Sequence, residues 1–348
     1  MSCAKINIFI PLRYGEYTVI GNSGRILKIL RNSRDYISGE DISAELGVSR
    51  SAVWKSIGKL REKGYIIDAV SNRGYRLSEG IDLPISDEIH RYLDTECFGS
   101  EIIYMDSVDS TNSLAMTLAA RGAAHGTVIT ADQQTNGRGR MGREWISPFG
   151  SNLYLSIILR PGVSPADASQ IPVLSVIASV RALERMVSDL PFGIKWPNDI
   201  YCRGRKISGT LCEMKAEIDR VNHVVVGTGI NVNLKPFDDS IRDIATSLSI
   251  ETDTEYSRVR LAAFLLEEFE KVYNRWLIEG NLEFIIDEWD EHSLLKGKQV
   301  DVRTVNRVVS GKVAGITTNG ALKLELPDAT VRFVYAGDAS LHGASQGS

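Results

Sequence analysis

The sequence is poor in the residues on which disulfide frameworks, zinc sites and imidazole catalysis depend. Its 348 residues include only four cysteines, and no two of them form a Cys-x-x-Cys pair. These cysteines are Cys3, Cys97, Cys202 and Cys212. Their scattered positions indicate neither a disulfide framework nor a zinc site. Five scattered histidines argue against acid–base work by imidazole, and we expect no resident metal ion.

Long apolar runs are also missing. No stretch approaches the ~20 apolar residues that span a bilayer, and the short run at residues 6–12 lacks a secretory cleavage pattern. We therefore expect a cytoplasmic protein without membrane contact. Apolar residues make up 43% and charged residues 24% of the chain, which are ordinary globular values. At this length the chain can form two or three domains.

Several catalytic motifs are absent as well. The chain has no Gly-x-x-x-x-Gly-Lys-Ser/Thr phosphate loop and no His-Glu pair that would begin a zinc-protease motif. The Gly-Thr-Gly at residues 227–229 lacks the spacing and helix of a dinucleotide fingerprint. No protein nucleophile is evident, so chemistry must come from fixed cations and glycines. That inventory fits phosphoryl or nucleotidyl transfer, where positioning and charge stabilisation supply most of the rate.

Basic residues are concentrated near the N-terminus. Residues 23–77 hold 11 Lys and Arg against six Asp and Glu, whereas residues 78–348 hold 27 against 37. The net charge of −4 therefore conceals two parts of opposite sign. A basic module on an acidic body indicates nucleic-acid contact by the first part only.

The pattern of residues 23–78 predicts a winged helix-turn-helix. The predicted elements are a helix at 25–31, helices capped by Ser38 and Ser49 and ended by Gly47 and Gly64, and a hairpin over 65–70 and 74–77. In the third helix Val53, Ile57 and Leu60 form the buried stripe. The predicted DNA contacts are Arg50, Ser51 and Lys55 on that helix and Arg73 on the wing. A protein-interaction or vestigial module is the alternative.

After a polar connector at residues 78–86, strands and helices alternate, which predicts an α+β body over residues 85–290. The predicted strands cover 102–104, 127–130, 152–159, 206–211 and 224–233, and the predicted helices 112–121, 166–187 and 258–277. Short strands at 299–303, 308–316, 321–326 and 331–335 predict a small β-barrel over residues 295–341. We therefore expect three domains.

One segment concentrates positive charge and glycine. In residues 137–145, which we call the arginine loop, three glycines accompany Arg138, Arg140 and Arg143, and Trp145 closes the run. Glycine lets backbone N–H groups approach an anion, and arginine offers planar forks that suit phosphate and carboxylate. Because glycine recurs too often for a helix or strand, we predict a loop that is disordered until it holds an anionic ligand. A solvated basic loop is the alternative.

Other segments add polar groups and cations. Ser110, Thr111 and Asn112 stand at a strand-to-helix junction, where they could hold a polar, uncharged group such as a ureido ring; simple helix capping is the alternative. Pro197 cannot continue a central strand, so residues 195–199 should turn at a sheet edge or a site. Lys206 begins a strand and should face outwards or into a cleft. Glycines at 227 and 229 would let a flat ligand or another backbone approach.

The order of these segments resembles that of bifunctional biotin protein ligases that also repress biotin genes. The matching segments are residues 109–112, 137–145, 147–150, 195–199, 206–211 and 227–231, and residues 49–55 resemble the recognition helix of those repressors. The resemblance runs from about residue 23 to residue 341. Met141 and Asn136 depart from it, since relatives often carry arginine and a small apolar residue there. Either change could alter affinity for the activated intermediate.

The resemblance implies a two-step reaction on a mixed sheet like that of class II synthetases, with a C-terminal SH3-like domain. The carboxylate of biotin attacks the α-phosphate of MgATP, which gives biotinyl-5′-AMP and pyrophosphate. A lysine of a biotin carboxyl carrier protein then attacks the mixed anhydride. A homodimer loaded with the adenylate would bind a palindromic operator.

The resemblance also implies roles for single residues. Lys206 neutralises the α-phosphate and the carboxylate, Arg140 closes over the intermediate, and Asp199 orients the acceptor amine. The implied biotin-binding residues are Ser110, Thr111, Asn112, Gln134 and Gly137. The implied ATP- or adenylate-binding residues are Arg138, Arg140, Arg143, Trp145, Lys206, Gly209 and Asn231.

Two other functions remain open at this point. The chain could be a ligand-sensing transcription factor without ligase activity, but the retention of Arg138, Arg140 and Lys206 speaks against that. It could instead be a lipoate or octanoate ligase, which would lack the appended barrel and winged helix.

Overall fold

The computed structural model describes residues 22–342 except 34, 63, 64, 80, 240, 305 and 306. The helix stop predicted at Gly64 and the Gly80 of the connector therefore lie outside the described residues. Three modules follow one another along the chain: a helical module with a hairpin, a central α+β body, and a small β-sheet module.

The first module has the helices and hairpin that the sequence predicts. Its elements are α1 (Asn22–Asn32), α2 (Gly39–Leu46), α3 (Arg50–Glu62), β1 (Ile66–Val70) and β2 (Gly74–Glu79). The Ser38 hydroxyl accepts a hydrogen bond from the Asp41 amide, and Ser49 accepts one from the Ala52 amide. Gly47 ends α2 in the left-handed region at φ 65°. The predicted caps and the winged helix-turn-helix are confirmed.

This module buries its own hydrophobic core, separate from that of the central body. The stripe predicted for α3 is confirmed, because Val53, Ile57 and Leu60 are fully buried. Strands β1 and β2 pair antiparallel and form the wing. The opposite face of α3 is left exposed to solvent, as a helix that enters a DNA groove requires.

The central body is built on a seven-stranded mixed sheet with the order β3-β4-β5-β9-β8-β7-β6. Its strands are β3 (Ile102–Met105), β4 (Val128–Ala131), β5 (Leu153–Leu159), β6 (Phe192–Lys195), β7 (Asp199–Cys202), β8 (Arg205–Ala216) and β9 (Val221–Ile230). Strands β3 and β4 are parallel, and the other pairs are antiparallel. The predicted α+β class with a mixed sheet is confirmed.

Helices cover both faces of this sheet. They are α4 (Ser86–Ile89), α5 (Thr111–Ala120), α6 (Pro165–Ala168), α7 (Ile171–Met186), α8 (Leu248–Thr252), α9 (Arg258–Glu279) and α10 (Ile286–His292). Helices α7 and α9 pack together on one face, and α5 packs on β4, β5 and β9 from the other. In β5, Leu153, Leu155 and Ile157 therefore join the large core, whereas Ile158 joins the cluster under α5.

The single long helix predicted over residues 166–187 is wrong. The structure has two helices there, α6 and α7, separated at Ser169 and Gln170. Pro172 lies in the first turn of α7, where its missing N–H costs nothing. Within a continuous helix the same ring would clash with the preceding turn, so the chain starts a new helix at Ile171.

The C-terminal module is an antiparallel sheet with the order β13-β12-β11-β10-β14, so the expected C-terminal β domain is confirmed. Its strands are β10 (Gln299–Arg303), β11 (Val308–Ile316), β12 (Leu322–Glu325), β13 (Val331–Val334) and β14 (Asp338–Leu341). Four of them were expected, and β14 was not. Its apolar residues join the core of the central body, so the sheet is held firmly beside the cleft described below.

The connector between the first two modules is tied to the start of α9. Asp82 accepts hydrogen bonds from the Arg258 guanidinium at 3.0 Å and from the Ser257 hydroxyl at 3.1 Å. Arg258 also donates to Asp132 at 2.6 Å. Asp132 follows β4 directly, on the segment that leads into the arginine loop. The connector and the base of the loop therefore share one arginine.

We expect Arg258→Ala to lower the free energy of unfolding by about 3 kcal/mol, because it leaves the fully buried Asp132 without its cation. Urea denaturation followed by circular dichroism measures the change. Arg275→Ala on the same helix is the matched control, since Arg275 pairs with Glu279 at the surface. Its expected cost is under about 1 kcal/mol. Equal costs for the two variants would contradict the structural role of Arg258.

Candidate active site

A cleft lies over strands β8 and β9, between the start of α5 and the arginine loop. It encloses about 100 Å³. The predicted site residues that line it are Ser110, Thr111, Asn112, Gln134, Arg138, Arg140, Arg143, Trp145, Asp199, Lys206 and Gly209. Residues from five separate segments of the chain thus meet in one place.

One end of the cleft is a buried hydrogen-bond network. The Thr111 amide and hydroxyl donate to Gln134 Oε1 at 2.9 and 3.1 Å, and Gln134 Nε2 donates to the Ser147 hydroxyl at 2.9 Å. Ser110 precedes α5, but its side chain makes no capping hydrogen bond. Simple helix capping therefore does not explain Ser110. This end can hold an uncharged group rich in donors and acceptors.

Asn112 is fixed beneath that network. Its Nδ2 donates to the Leu211 carbonyl at 3.1 Å and to Glu213 Oε2 at 2.9 Å. Ser156 donates to Asn112 Oδ1 at 2.7 Å. A Cβ at Gly227 would lie 2.0 Å from the same Oδ1. The glycine at 227 is therefore needed for Asn112 to reach its place.

The second glycine of this strand, Gly229, lies against the Trp145 indole. A Cβ there would be 2.5 Å from Trp145 Nε1. The prediction that both glycines permit close approach is confirmed. The groups that approach are side chains, however, where a flat ligand or another backbone was expected.

Gly229→Ala should push the Trp145 indole out of its place and lower the free energy of unfolding by about 1–3 kcal/mol through overpacking. We expect a red shift of tryptophan emission, because three of the other four tryptophans are buried elsewhere. Gly39→Ala is the matched control, since its Cβ would meet nothing closer than 3.4 Å. An unchanged emission spectrum and an unchanged denaturation midpoint would contradict the packing of Trp145 on Gly229.

The arginine loop is a small hairpin-like turn. The Trp145 amide donates to the Gly137 carbonyl at 2.9 Å, and the Gly139 amide donates to the Arg143 carbonyl at 2.7 Å. A single 3₁₀ turn at its tip puts Met141 in the left-handed region at φ 56°. The prediction of a loop is confirmed. Its ordering by an anionic ligand stays a prediction.

Each loop arginine contacts a different part of the protein. Arg138 pairs with Glu213 on β8 at 2.7 Å. Arg140 donates to Asn198 Oδ1 at 3.0 Å and to the Gly337 carbonyl at 3.1 Å. Arg143 pairs with Asp338, at the start of β14. The loop thus bridges the central sheet and the C-terminal module.

Lys206 lies between an acid and an aromatic ring. Its Nζ is 2.8 Å from Asp199 Oδ1 and 5.3 Å from the centre of the Trp145 ring. Its backbone is held by hydrogen bonds to residues 244 and 246. Of the two orientations expected for Lys206, the structure shows the one into a cleft. The predicted turn around Pro197 is also confirmed, because it joins β6, at the edge of the sheet, to β7.

Burial shifts the pKa of two groups near the cleft. It lowers the pKa of the Arg140 guanidinium, while Asp338 and Asp199 act in the opposite direction. Burial also raises the pKa of the Cys212 thiol to about 12. Cys212 is therefore protonated at neutral pH and cannot act as a nucleophile.

A second cavity of about 770 Å³ lies on the other side of the arginine loop. Its lining includes the apolar side chains of Pro172, Trp196, Met214 and Tyr335 together with polar residues of the loop. Loop residues line both cavities, so the loop is the partition between them. Ligand pockets usually enclose about 300–1,000 Å³. The small cleft therefore needs a shift of this partition to admit ligands of ordinary size.

Two predicted site residues lie apart from the rest. Gly137 lines the second cavity, and a Cβ there would be 2.3 Å from the Trp145 carbonyl oxygen. Asn231 is buried and does not line the cleft, and its Nδ2 donates to the Thr246 carbonyl at 3.0 Å. The roles implied for both residues stay predictions.

Sequence reasoning missed three residues that hold the loop. Asn198 lies within the segment 195–199 and could have been named from it. Glu213 follows the segment 206–211 by two residues on the same strand. Asp338 carries no local signal, because its contact with the loop joins positions 195 residues apart.

The predicted DNA contacts are exposed on two elements of the first module. Arg50, Ser51 and Lys55 are exposed on α3. Arg73 is exposed at the wing, where it stacks on Tyr36 at 4.6 Å and pairs with Asp35 at 3.6 Å. Among residues 22–342, with the gaps given above, there is no group of three or more His, Cys, Asp or Glu that could hold a metal ion. The same residues form no helix long and apolar enough to cross a membrane.

Known proteins resemble each module. Residues 24–76 match the HTH domain, residues 104–231 the Biotin/lipoate A/B protein ligase family, and residues 296–342 the Biotin protein ligase C terminal domain. A solved biotin protein ligase from Aquifex aeolicus in complex with biotin and ATP has a TM-score of 0.61 and 28% identity. That match covers 70% of this chain and 99% of the Aquifex chain.

Relatives are similar over nearly the full length. The Bifunctional ligase/repressor BirA of Bacillus subtilis is 40% identical over 309 residues, which is 88% of this chain and 94% of that protein. The BirA of Escherichia coli K12 is 30% identical over 322 residues, or 92% of this chain and 98% of that protein. The chain therefore belongs to the family of bifunctional biotin protein ligases and repressors.

Proposed function

We propose that this protein is an ATP-dependent biotin protein ligase that also represses biotin genes. The observation that carries the proposal is the cleft, which unites Ser110, the hydrogen-bonded pair Thr111 and Gln134, three loop arginines and Lys206. An uncharged ring fits the polar end, and an anion fits the cationic end. Biotin has both parts, a ureido ring and a carboxylate.

In the first step a biotin carboxylate oxygen attacks the α-phosphorus of MgATP. A carboxyl–phosphate anhydride forms, the bond to the β-phosphate breaks, and pyrophosphate leaves. Lys206 carries the fixed charge that stabilises the crowded anions of this transition state. Asp199 holds Lys206 in place before the ligands arrive.

The loop arginines act as a lid in this proposal. Arg138, Arg140 and Arg143 now contact Glu213, Asn198 and Asp338. Phosphate groups replace those acceptors when the nucleotide binds, so the loop changes partners without losing its hydrogen bonds. Because an acyl adenylate hydrolyses readily, a closed loop that excludes water protects it.

In the second step the ε-amine of a lysine on a biotin carboxyl carrier protein attacks the mixed anhydride. The new amide forms as AMP leaves and the amine loses a proton, so no residue of this chain is modified. The cavity beyond the loop offers the acceptor a route to the cleft. Asp199 orients that amine.

The repressor activity resides in the first module. Operator DNA meets α3 and the wing, and two copies of the chain bind the two halves of a palindromic site. The adenylate favours the homodimer, which links biotin demand to transcription. Both proposed partners belong to the cytoplasm, and Mg²⁺ enters with ATP.

Competition between acids tests the enzyme part. The chain is incubated with MgATP, a carrier domain, and equal amounts of biotin, lipoate and octanoate, and the mass of the carrier is measured. The proposal predicts one biotin added to one lysine. Lipoate or octanoate on the carrier would identify the alternative ligase. An unmodified carrier would favour a ligand-sensing transcription factor without ligase activity.

Gel shifts on the DNA upstream of this chain's own gene test the repressor part. Biotin and MgATP should tighten the binding. DNA binding that neither biotin nor MgATP changes would contradict the proposed control of the first module by the adenylate.

A further inference from the structure

The most exposed tryptophan of the chain stands on the recognition helix. Trp54 on α3 is 67% exposed, whereas Trp196, Trp276 and Trp289 are at most 2% exposed and Trp145 is packed in the cleft. A large apolar ring left in water at this level costs hydrophobic free energy. An exposed indole inside a basic face therefore indicates a surface that is covered when a partner binds.

Helical spacing puts Trp54 on the outward face of α3. The buried stripe of α3 includes Val53, Ile57 and Leu60. Trp54 follows Arg50 by one turn, and Lys55 is its exposed neighbour. The indole is thus surrounded by the side chains already predicted to contact DNA, although no role had been assigned to it.

Gly58 adds an independent observation on the same face, one turn after Trp54. A Cβ at Gly58 would meet nothing within 4 Å, and its φ is not positive. Neither packing nor backbone conformation therefore requires glycine there. Glycine in a helix interior destabilises the helix relative to alanine. Because Gly58 has no side chain, it leaves open space beside the indole. An external surface can come close there.

Resting on the DNA-binding function proposed above, we propose that Trp54 reads thymine in the major groove. The 5-methyl group of thymine is the apolar feature of that groove, and side chains with apolar surface recognise it. The exposed cations Arg50, Lys55 and Lys59 flank the indole, which favours a polyanion over an apolar protein surface. Gly58 lets the groove wall approach the ring.

Removing the methyl groups tests this directly. The full chain with biotin and MgATP selects its preferred duplex from a random pool. That duplex is then compared with a copy in which deoxyuridine replaces every thymidine. We expect wild type to bind the thymidine duplex about tenfold more tightly, the cost of one mismatched position. Trp54→Ala should bind both duplexes equally.

Two further variants separate recognition from folding. Trp54→Ala should transfer biotin to the carrier at the wild-type rate, since no residue of α3 lines the cleft. Gly58→Leu should unfold at the same or a higher temperature, because leucine favours helices, yet bind the selected duplex about tenfold less tightly.

A thymidine preference that survives in Trp54→Ala would overturn the inference. So would a Trp54→Ala chain that binds DNA normally but fails to dimerise, which would make the indole a protein contact. If wild type binds no duplex in any condition, the DNA-binding function itself fails. Wild type that binds DNA without a thymidine preference overturns only the role of Trp54.

Discussion

Lys206→Met slows biotin-dependent exchange of pyrophosphate into ATP about a thousandfold, the loss expected when a charge that stabilises the transition state is removed. Methionine retains the apolar part of the lysine side chain and so keeps contact with the Trp145 ring. The change therefore removes charge with little loss of packing. Exchange is measured with labelled pyrophosphate, which reports the first step alone.

Loss of Lys206 also leaves Asp199 without its cation. The double variant Asp199→Asn, Lys206→Met removes that carboxylate charge and should remain as slow as the single variant. Lys215→Ala, at the exposed end of the same strand, is the matched control and should exchange at the wild-type rate. Lys206→Met with more than a tenth of wild-type activity would contradict the role given to this cation.

Arg140→Ala releases the adenylate about a hundredfold faster than wild type. Its guanidinium makes two hydrogen bonds to the rest of the protein, and in the loaded state we expect comparable charge-assisted bonds to phosphate. Loss of two such bonds costs about 3 kcal/mol. The freed adenylate should then biotinylate lysines of unrelated proteins such as serum albumin.

Rapid dilution into excess unlabelled biotin measures the release, and albumin in the same tube reports stray labelling. Arg242→Ala is the matched control, because Arg242 is exposed and pairs only with nearby Asp239 and Asp243 in the described structure. Asp338→Asn weakens the hold on Arg143 and should have a smaller effect than Arg140→Ala. An Arg140→Ala chain that retains its adenylate as long as wild type would contradict the lid.

The helical module was predictable because its signals are local. Ser38 and Ser49 cap helices within three residues of themselves, and Gly47 ends one in the left-handed conformation. The error at residues 166–187 has a local cause too. Apolar content alone suggested one helix, although Pro172 signals a new start.

The residues of the candidate site also differ in whether local sequence predicts them. Its contiguous segments could be predicted because glycine, arginine and the Ser-Thr-Asn run impose their chemistry wherever the chain puts them. The residues that hold these segments in place could not be predicted. Glu213 meets Arg138 across 75 positions, and Asp338 belongs to a strand too short to be recognised from four residues. Sheet order, which no local pattern reports, decides those contacts.

We propose that one cleft makes an acyl adenylate and keeps it under the arginine loop. The most direct measurement mixes the chain with biotin and MgATP, removes free ligands by gel filtration, and determines the bound nucleotide by mass spectrometry. The account predicts one biotinyl-5′-AMP per chain, and none when biotin is omitted. A chain that emerges with unreacted ATP, or with no adenylate at all, would contradict it.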